Sequence, residues 1–475
     1  MGTSVSVVRR WWIVAGALAG GLFASSVAVP AAESAAGREI GQDTAFEELG
    51  AAERAPFGIR SDELSFPITA GWDQESGFFL SDKIKDSFLL TVGGYIQSRY
   101  TLKLRDPRGE PAGRSTTALQ GRDESYFDIE RARVRLSGYV IDPNINYQIL
   151  FGGTTDEDGA VGLLDAFVLY KAGEIFSENP DLIAIGAGQF KPYFLRQERT
   201  DPTRLQMVDR SLTNEFFNIG RGIGAWVQGD LHWLFWSFAV TNGIESYQRA
   251  PGSVDQVPAF VGKLDFNILG HEGGKYEESN VRCDDRIQWT VGLSGMTDVN
   301  NGSSTDGDTQ RFDVYSFGVD TALKWNVFSL QAEYVGRWVD YPGAENPLTA
   351  GDGGTHYAHG LYVQGGMFLI PGTLEAVGRV ATVWTAGGGS NGNAFEAGPG
   401  LNWYISKSHK VKLQTELFFF DISGDLPVQT GLLYDVVVGP PPPPADPDAR
   451  FFTGSGGYRG GEQGVMWRTQ IQLEF

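Results

Sequence analysis

The sequence predicts an all-β protein, a transmembrane antiparallel β-barrel of about 16 strands with an inward-folded third loop. Three observations support this fold class. Many segments alternate apolar and polar residues with a period of two, which is typical of strands. The links between these segments roughly alternate between short and long. The last segment, VMWRTQIQLEF, is amphipathic and ends on the aromatic residue Phe475.

Composition is consistent with this prediction. The chain has 63 Gly and 12% aromatic residues, a bias that favours strands and tight turns over helices. The net charge of −20 argues against nucleic acid as a partner. Cys283 is the single cysteine, so the chain cannot form an internal disulfide.

The N-terminus predicts export from the cytoplasm. Arg9 and Arg10 precede an apolar run from Trp11 to Val29, which is followed by small residues. This pattern predicts a cleaved signal peptide over residues 1–32, the alternative being a membrane anchor. Residues 33–86 are acidic and weakly periodic, and we interpret them as a periplasmic N-terminal segment. The outer-membrane barrel is then predicted to occupy residues 87–475.

After residue 87 the alternation is regular. In the first strand Ile96, Tyr100 and Leu102 share one face, and Arg99 lies on the other. A membrane barrel turns its apolar face to lipid and its polar face to the lumen, whereas a soluble exported β-protein would do the reverse. The predicted strands number sixteen, an even number as expected for a bacterial barrel, and cover 88–104, 126–140, 145–154, 163–171, 182–191, 222–231, 233–243, 257–268, 286–297, 312–325, 327–340, 358–370, 373–385, 394–406, 410–421 and 464–475.

The connections separate into two classes. Short links include 231–233, 325–327 and 371–373, and the long links are predicted to be external loops. Two segments, 171–181 and 269–285, are longer than the short turns that belong at their positions. The third long link, Lys191–Arg221, is highly charged and predicted to be ordered, and such a loop is more often functional than accidental.

The sequence contains no recognisable enzyme site. Its five His lack a Gly-x-Ser-x-Gly, a His-Glu-x-x-His or a Cys cluster beside them. We therefore predict no catalytic residue, no metal site, no cofactor and no enzymatic activity.

Several segments resemble the phosphate-selective porin O/P family of bacterial outer-membrane porins. They include FDIERARVRLSGYV, GAGQFKPYF with the following VDRSLTNEF stretch, WSFAVTNG and the terminal WRTQIQLEF. The similarity extends over residues 77–475 and is strongest between residues 127 and 243. It implies a sixteen-stranded homotrimeric porin in outer-membrane lipid, whose third loop folds inward and whose Arg and Lys residues attract anions.

The expected function is diffusion of small hydrophilic solutes, and of inorganic anions such as phosphate. Three Arg at alternate positions of one strand lie about 6.5–7 Å apart, a spacing that would pass an oxyanion between guanidinium groups. The predicted anion path comprises Arg99, Arg131, Arg133, Arg135, Lys191, Arg196, Arg199, Arg204 and Arg210. Two alternatives remain open at this stage: these cations pair with lumenal acids and only stabilise the barrel, or the barrel has a structural or surface-interaction role.

Overall fold

The computed structural model describes residues 68–73, 77–82, 87–107, 123–153, 161–243, 257–301, 312–340, 355–386, 392–422 and 462–475. The predicted signal peptide, residues 33–67 of the predicted N-terminal segment and most of each predicted external loop other than the third lie outside these residues. No helix in the described ranges is both long enough and apolar enough to cross a membrane.

The described residues form one antiparallel sheet of eighteen strands, and sixteen of these close into a barrel. From β3 to β18 each strand pairs with the next in the chain, and β18 pairs with β3. The predicted sixteen-strand barrel is thus confirmed. In chain order the strands are β1 Ile68–Asp73, β2 Gly77–Asp82, β3 Phe88–Pro107, β4 Glu124–Val140, β5 Asp142–Gly153, β6 Val161–Lys171, β7 Ala184–Phe190, β8 Gly222–Asp230, β9 Leu234–Thr241, β10 Ala259–Leu269, β11 Gln288–Asn301, β12 Phe312–Trp325, β13 Phe328–Asp340, β14 Thr355–Ile370, β15 Leu374–Ala386, β16 Asn393–Tyr404, β17 Val411–Ile422 and β18 Glu462–Glu474.

Burial along the strands is the inverse of that in a water-soluble protein. On β3, Ile96 is 44% exposed whereas Arg99 is 2% exposed, and on β15 Val380 is 48% exposed whereas Arg379 is 2% exposed. Apolar side chains therefore cover the outside of the barrel and charged side chains line the inside. This is the arrangement that a lipid environment requires.

A hairpin of β1 and β2 extends the sheet beyond the predicted start at residue 87. Phe78–Ser81 pair with Leu89–Val92 of β3. This is the part of β3 beyond the reach of β18, whose pairing ends where Phe475 and Gly94 exchange backbone hydrogen bonds of 2.8 and 2.9 Å. Residues 68–73 and 77–82 thus belong to the same sheet as the barrel. Their six-residue strands are too short to show a clear alternation in the sequence.

The connections at the short-turn end agree with the expected pattern, including its two exceptions. Asn326 adopts a positive φ of 50° between β12 and β13, and Ile141 one of 70° between β4 and β5. Residues 172–183 contain two 3-10 turns, Gly173–Ile175 and Pro180–Leu182. Residues 270–287 reach from β10 to the Lys191–Arg221 connection, where Glu278 N donates to Arg204 O at 3.4 Å.

Candidate functional site

The connection between β7 and β8, called the 191–221 segment below, is ordered by short local structures. It contains the helices α1 (Arg196–Arg199) and α2 (Leu212–Phe217) and a 3-10 turn at Pro202–Arg204. The Ser211 hydroxyl accepts a hydrogen bond from Asn214 N at 3.0 Å and caps α2. Asp201 caps the 3-10 turn by accepting from Thr203 N at 2.9 Å.

Apolar side chains of the segment pack against the barrel wall. Four of them have no exposed surface, and Phe216 is nearly as buried; the four are Phe194, Leu195, Leu212 and Phe217. They belong to one cluster with inward-facing wall residues, which include Val335, Tyr362, Val383 and Phe420. Because the wall strands β13 to β17 contribute to this cluster, burial of apolar surface fixes the segment along much of the ring.

Glutamates accept hydrogen bonds from backbone amides of the segment. Glu333 of β13 accepts from Arg196 N at 2.7 Å, and Glu396 of β16 accepts from Leu212 N at 3.0 Å. Glu416 of β17 accepts from Val208 N at 2.8 Å. Glu278, in the connection between β10 and β11, accepts from Gln206 N at 2.6 Å.

Basic and amide side chains of the wall donate in turn to the segment's carbonyls. Lys412 donates to Leu205 O at 2.7 Å, Arg379 to Asp209 O at 2.7 Å and Arg337 to Phe217 O at 2.6 Å. Gln97 of β3 donates to Pro202 O at 3.1 Å. Much of the charge on the inner wall is therefore used to bind one irregular stretch of backbone.

Asp209 joins two predicted path residues, Arg99 and Arg131, and the wall residue Arg468 into a single ion cluster. Its carboxylate lies 2.9 Å from Arg131, 3.4 Å from Arg99 and 3.6 Å from Arg468. Burial alone would raise the pKa of Asp209, but Arg131, Arg468 and Arg99 outweigh it and hold that pKa well below its usual value. Arg99 also pairs with Asp128 at 2.6 Å.

Arg196 is the most enclosed cation of the predicted path. Its guanidinium contacts Asp320 and Glu272, each at 2.6 Å, and stacks over Tyr276 with 4.5 Å to the ring centroid. The side chain is 1% exposed. Burial alone would lower the pKa of Arg196, but these carboxylates outweigh it and raise that pKa. The guanidinium is therefore always positive, and the carboxylates balance its charge.

Two further predicted residues form ion pairs that are partly open to solvent. Arg135 lies 3.0 Å from Asp201, and both side chains are more than one third exposed. Burial would raise the pKa of Asp201, but Arg135 and the hydrogen bonds from Thr203 lower it to about 2. Arg204 pairs with Glu474 near the end of β18 at 3.2 Å.

Four of the nine predicted residues form no ion pair within the described residues: Arg133, Lys191, Arg199 and Arg210. Lys191 donates to Glu198 O at 3.1 Å, Arg199 donates to Lys191 O at 2.7 Å, and Arg210 donates to Thr200 O at 2.9 Å. Arg133 lies over the Tyr95 ring at 5.6 Å. These partners leave the positive charges without a contacting carboxylate.

The environment of Lys191 shows how crowded these cations are. Burial is the first cause that lowers the pKa of Lys191 well below its usual value, and repulsion from Arg210 and Arg221 adds to it. The carboxylate of Glu198 acts in the opposite direction. Arg221 itself is paired with Asp165 of β6 at 2.8 Å.

Sequence reasoning missed most of the acidic partners. The sequence places opposite charges on one face of a strand, where they could neutralise each other, but Arg379 pairs with Glu396 of the next strand at 2.8 Å, and Glu375 of its own strand instead accepts from Gln206 at 2.6 Å. Lys263 follows this same-strand pattern in part, because it lies 3.6 Å from Asp265 of its own strand and also contacts Asp320 of β12. The backbone partners of Glu333, Glu396 and Glu416 have no signal in the pattern, because they depend on the path of an irregular segment.

No curated protein matches the chain. Among solved structures, it is similar to an anion-selective porin from Comamonas acidovorans, with 10% identity, a TM-score of 0.51, and coverage of 82% of this chain and 100% of the other. It is also similar to the outer membrane channel DcaP of Acinetobacter baumannii, with 12% identity, a TM-score of 0.50, and coverage of 83% and 99%. At these identities the similarity shows a shared fold.

The family comparison is more specific. The model of the family described as "Phosphate-selective porin O and P" matches residues 115–416, well over half of the chain. That range includes β4 with its three Arg, the whole 191–221 segment and the wall glutamates that bind it. The chain therefore belongs to the phosphate-selective porin O and P family and is a bacterial outer-membrane porin.

Proposed function

We propose that this porin passes small anions, including inorganic oxyanions such as phosphate, through a constriction bounded by the 191–221 segment. We infer that the segment lies inside the barrel, because it contacts β3 and β4 through Asp209 and β13, β16 and β17 through wall glutamates. These strands spread over half of the sixteen-strand ring, from β13 through β18 to β4. A segment outside the sheet could not reach the buried face of all of them.

The observation that carries the proposal is the group of cations without a carboxylate partner. Arg133, Lys191 and Arg210 are half-buried, and both Arg210 and Arg133 lie close enough to Lys191 to lower its pKa. Arg135 and Asp201 lie on the same side of the barrel, half-exposed. We infer that the path runs here, because the paired cations Arg99, Arg131 and Arg196 are almost completely enclosed.

Permeation needs charges that attract an ion without trapping it. The hydrogen bonds from Lys191 and Arg210 to carbonyls hold the two side chains in place, and no carboxylate in the described residues lies within ion-pair distance of either. Guanidinium groups match the geometry of oxyanions. We therefore expect Arg133 to contribute most to the attraction of a permeating anion. Among the described residues it forms no ion pair with a carboxylate and donates no hydrogen bond to a carbonyl.

Planar-bilayer recording across a salt gradient tests the proposal. We expect a reversal potential of anion sign, and a lower anion-to-cation permeability ratio for the Arg133→Gln/Lys191→Gln double variant. A charge about 6 Å from an ion contributes roughly 0.7 kcal/mol in water, or about a threefold change. Arg286→Gln is the matched control, because this Arg is 83% exposed in the connection between β10 and β11. A cation-sign potential that the double variant leaves unchanged would disprove the proposal.

A second candidate function is a barrel with a mainly structural role and little transport. The number of side chains that bind the 191–221 segment favours it, since a segment held on so many sides narrows the lumen. Liposome swelling distinguishes the two functions. Uptake of small charged solutes supports the channel, whereas a correctly folded barrel that admits no solute supports the structural role.

We also propose that the protein is a homotrimer, as its family resemblance implies. Light scattering in detergent, corrected for bound detergent, measures the protein mass of the complex. Three chains per particle are expected, and a monodisperse single-chain particle would contradict this proposal.

A further inference from the structure

Two histidines and an aspartate that do not belong to the 191–221 segment converge at the short-turn end of the barrel. Asp230 is the last residue of β8, His232 lies in the turn to β9, and His271 follows the end of β10. Because β8, β9 and β10 are neighbours in the sheet, their ends meet. One potential ligand atom from each side chain lies within 4.8 Å of those of the other two.

The backbone holds this arrangement in place. His232 adopts the left-handed conformation with φ of 73°, which is uncommon outside glycine. Its N–H donates to Asp230 Oδ1 at 2.8 Å, and its carbonyl accepts from Asn267 Nδ2 at 2.7 Å. The strained residue is thus fixed from both sides, and its ring stacks on that of His271 with centroids 4.4 Å apart.

A glycine keeps the space next to these side chains open. A Cβ at Gly273 would lie 2.8 Å from Asp230 Oδ2 and 3.1 Å from His271 Cε1, and the φ of this residue is 59°. His271 Nε2 is 2.7 Å from Asp230 Oδ2. The imidazole and the carboxylate therefore already face each other at a distance that a metal ion could bridge after a small rotation.

We propose that Asp230, His232 and His271 bind a divalent transition metal of the zinc class. Two imidazoles and one carboxylate are a ligand set that zinc uses in proteins, whereas magnesium and calcium require oxygen ligands. Ligands around tetrahedral zinc are about 3.4 Å apart, given bonds of about 2.1 Å. The present spread of up to 4.8 Å closes by rotation of His232 and His271, both of which are exposed. Water completes the coordination.

Metal binding would reinforce two existing contacts between connections at this end of the barrel, the hydrogen bond between His271 and Asp230 and the stacking of His232 on His271. It would tie the turn between β8 and β9 more firmly to residues 270–287, which contact the 191–221 segment through Glu272 and Arg196. A metal at this position would therefore stabilise the end of the barrel where the longer connection turns inward. This inference does not depend on the ion selectivity of the channel.

The test uses full-length protein without a polyhistidine tag, folded in detergent. Isothermal titration with Zn²⁺ is expected to show one site per chain, and Mg²⁺ is expected not to compete. Co²⁺ is expected to give the visible absorption of a low-symmetry site with nitrogen ligands. His232→Gln and His271→Gln should each weaken Zn²⁺ binding by about tenfold or more, since even outer-shell changes at metal sites cost about tenfold.

His359→Gln is the matched control, because this residue lies on β14 among aromatic side chains. Its Zn²⁺ affinity should equal that of the unchanged protein. Heat-modifiable electrophoretic mobility verifies that each variant is folded. Equal Zn²⁺ affinity in the His232, His271 and His359 variants, or effective competition by Mg²⁺, would overturn the proposal.

Discussion

At the scale of single residues, the three Arg of β4 share a face but have three different environments. Arg131 contacts the buried Asp209, Arg135 contacts the half-exposed Asp201, and Arg133 has no carboxylate partner in the described residues. The period of two predicts their common face from the sequence. Their partners could not be predicted, because Asp201 and Asp209 lie in a segment without periodicity, whose path depends on tertiary contacts.

The most consequential single substitution is expected to be Asp209→Asn. It removes the negative charge between Arg131, Arg99 and Arg468 and leaves their positive charges in a buried cluster. Breaking a buried ion pair in this way costs about 3–5 kcal/mol. We expect a clear fall in the temperature at which the folded, heat-modifiable form is lost.

The control for this prediction is Asp201→Asn. Like Asp209, Asp201 pairs with an arginine, Arg135, but this pair is partly exposed. We therefore expect the substitution to lower the free energy of unfolding by about 1 kcal/mol or less. Equal unfolding temperatures for the Asp209 and Asp201 variants would show that the buried cluster does not stabilise the fold.

At the scale of elements, the hairpin of β1 and β2 is the part of the sheet that alternation did not reveal. Phe78 and Leu80 are exposed on the same face as Val92 and Leu90 of β3, so the hairpin continues the apolar outer surface. The sixteen barrel strands were predictable because each repeats the alternation over seven or more residues. Six-residue strands carry too few repeats, and their pairing depends on the unpaired edge that β18 leaves on β3.

Leu80→Pro is expected to detach this hairpin. Leu80 pairs with Ala70 of β1 and Leu90 of β3, and a residue inside a strand with two neighbours donates its N–H to one of them. Proline removes that donor and is excluded from central strands. We expect faster proteolysis within residues 68–82 while the remaining barrel keeps its heat-modifiable mobility. Leu80→Thr, which retains the donor, should stay resistant; equal resistance of both variants would argue against the pairing.

At the scale of the whole molecule, the barrel and the 191–221 segment stabilise each other. The closed sheet satisfies its own backbone, but the charges on its inner face need partners. The segment provides backbone amides, carbonyls and Asp209, and the wall in turn holds an irregular chain that could not fold alone. Sequence alternation predicts which side chains face inward. It does not predict that their principal partner is backbone rather than solute or another side chain.

This dependence can be tested with the double variant Glu396→Gln/Glu416→Gln. Glu396 accepts from Leu212 N at 3.0 Å and pairs with Arg379, and Glu416 accepts from Val208 N at 2.8 Å and pairs with Arg468. An amide oxygen keeps the shape but is a weaker acceptor and cannot balance the guanidinium charge. We expect a lower unfolding temperature and larger fluctuations of single-channel current, because the segment is held less firmly.

Glu174→Gln/Asp181→Asn is the matched control, since it also removes two carboxylates, but from the exposed connection between β6 and β7. It should change neither the current fluctuations nor the unfolding temperature appreciably. Combining the wall variant with Asp209→Asn should cost more than the sum of the two, because each variant alone leaves Arg468 one carboxylate and the combination leaves it neither Glu416 nor Asp209. Full additivity, or quiet currents in the wall variant, would mean that these glutamates do not hold the segment in place.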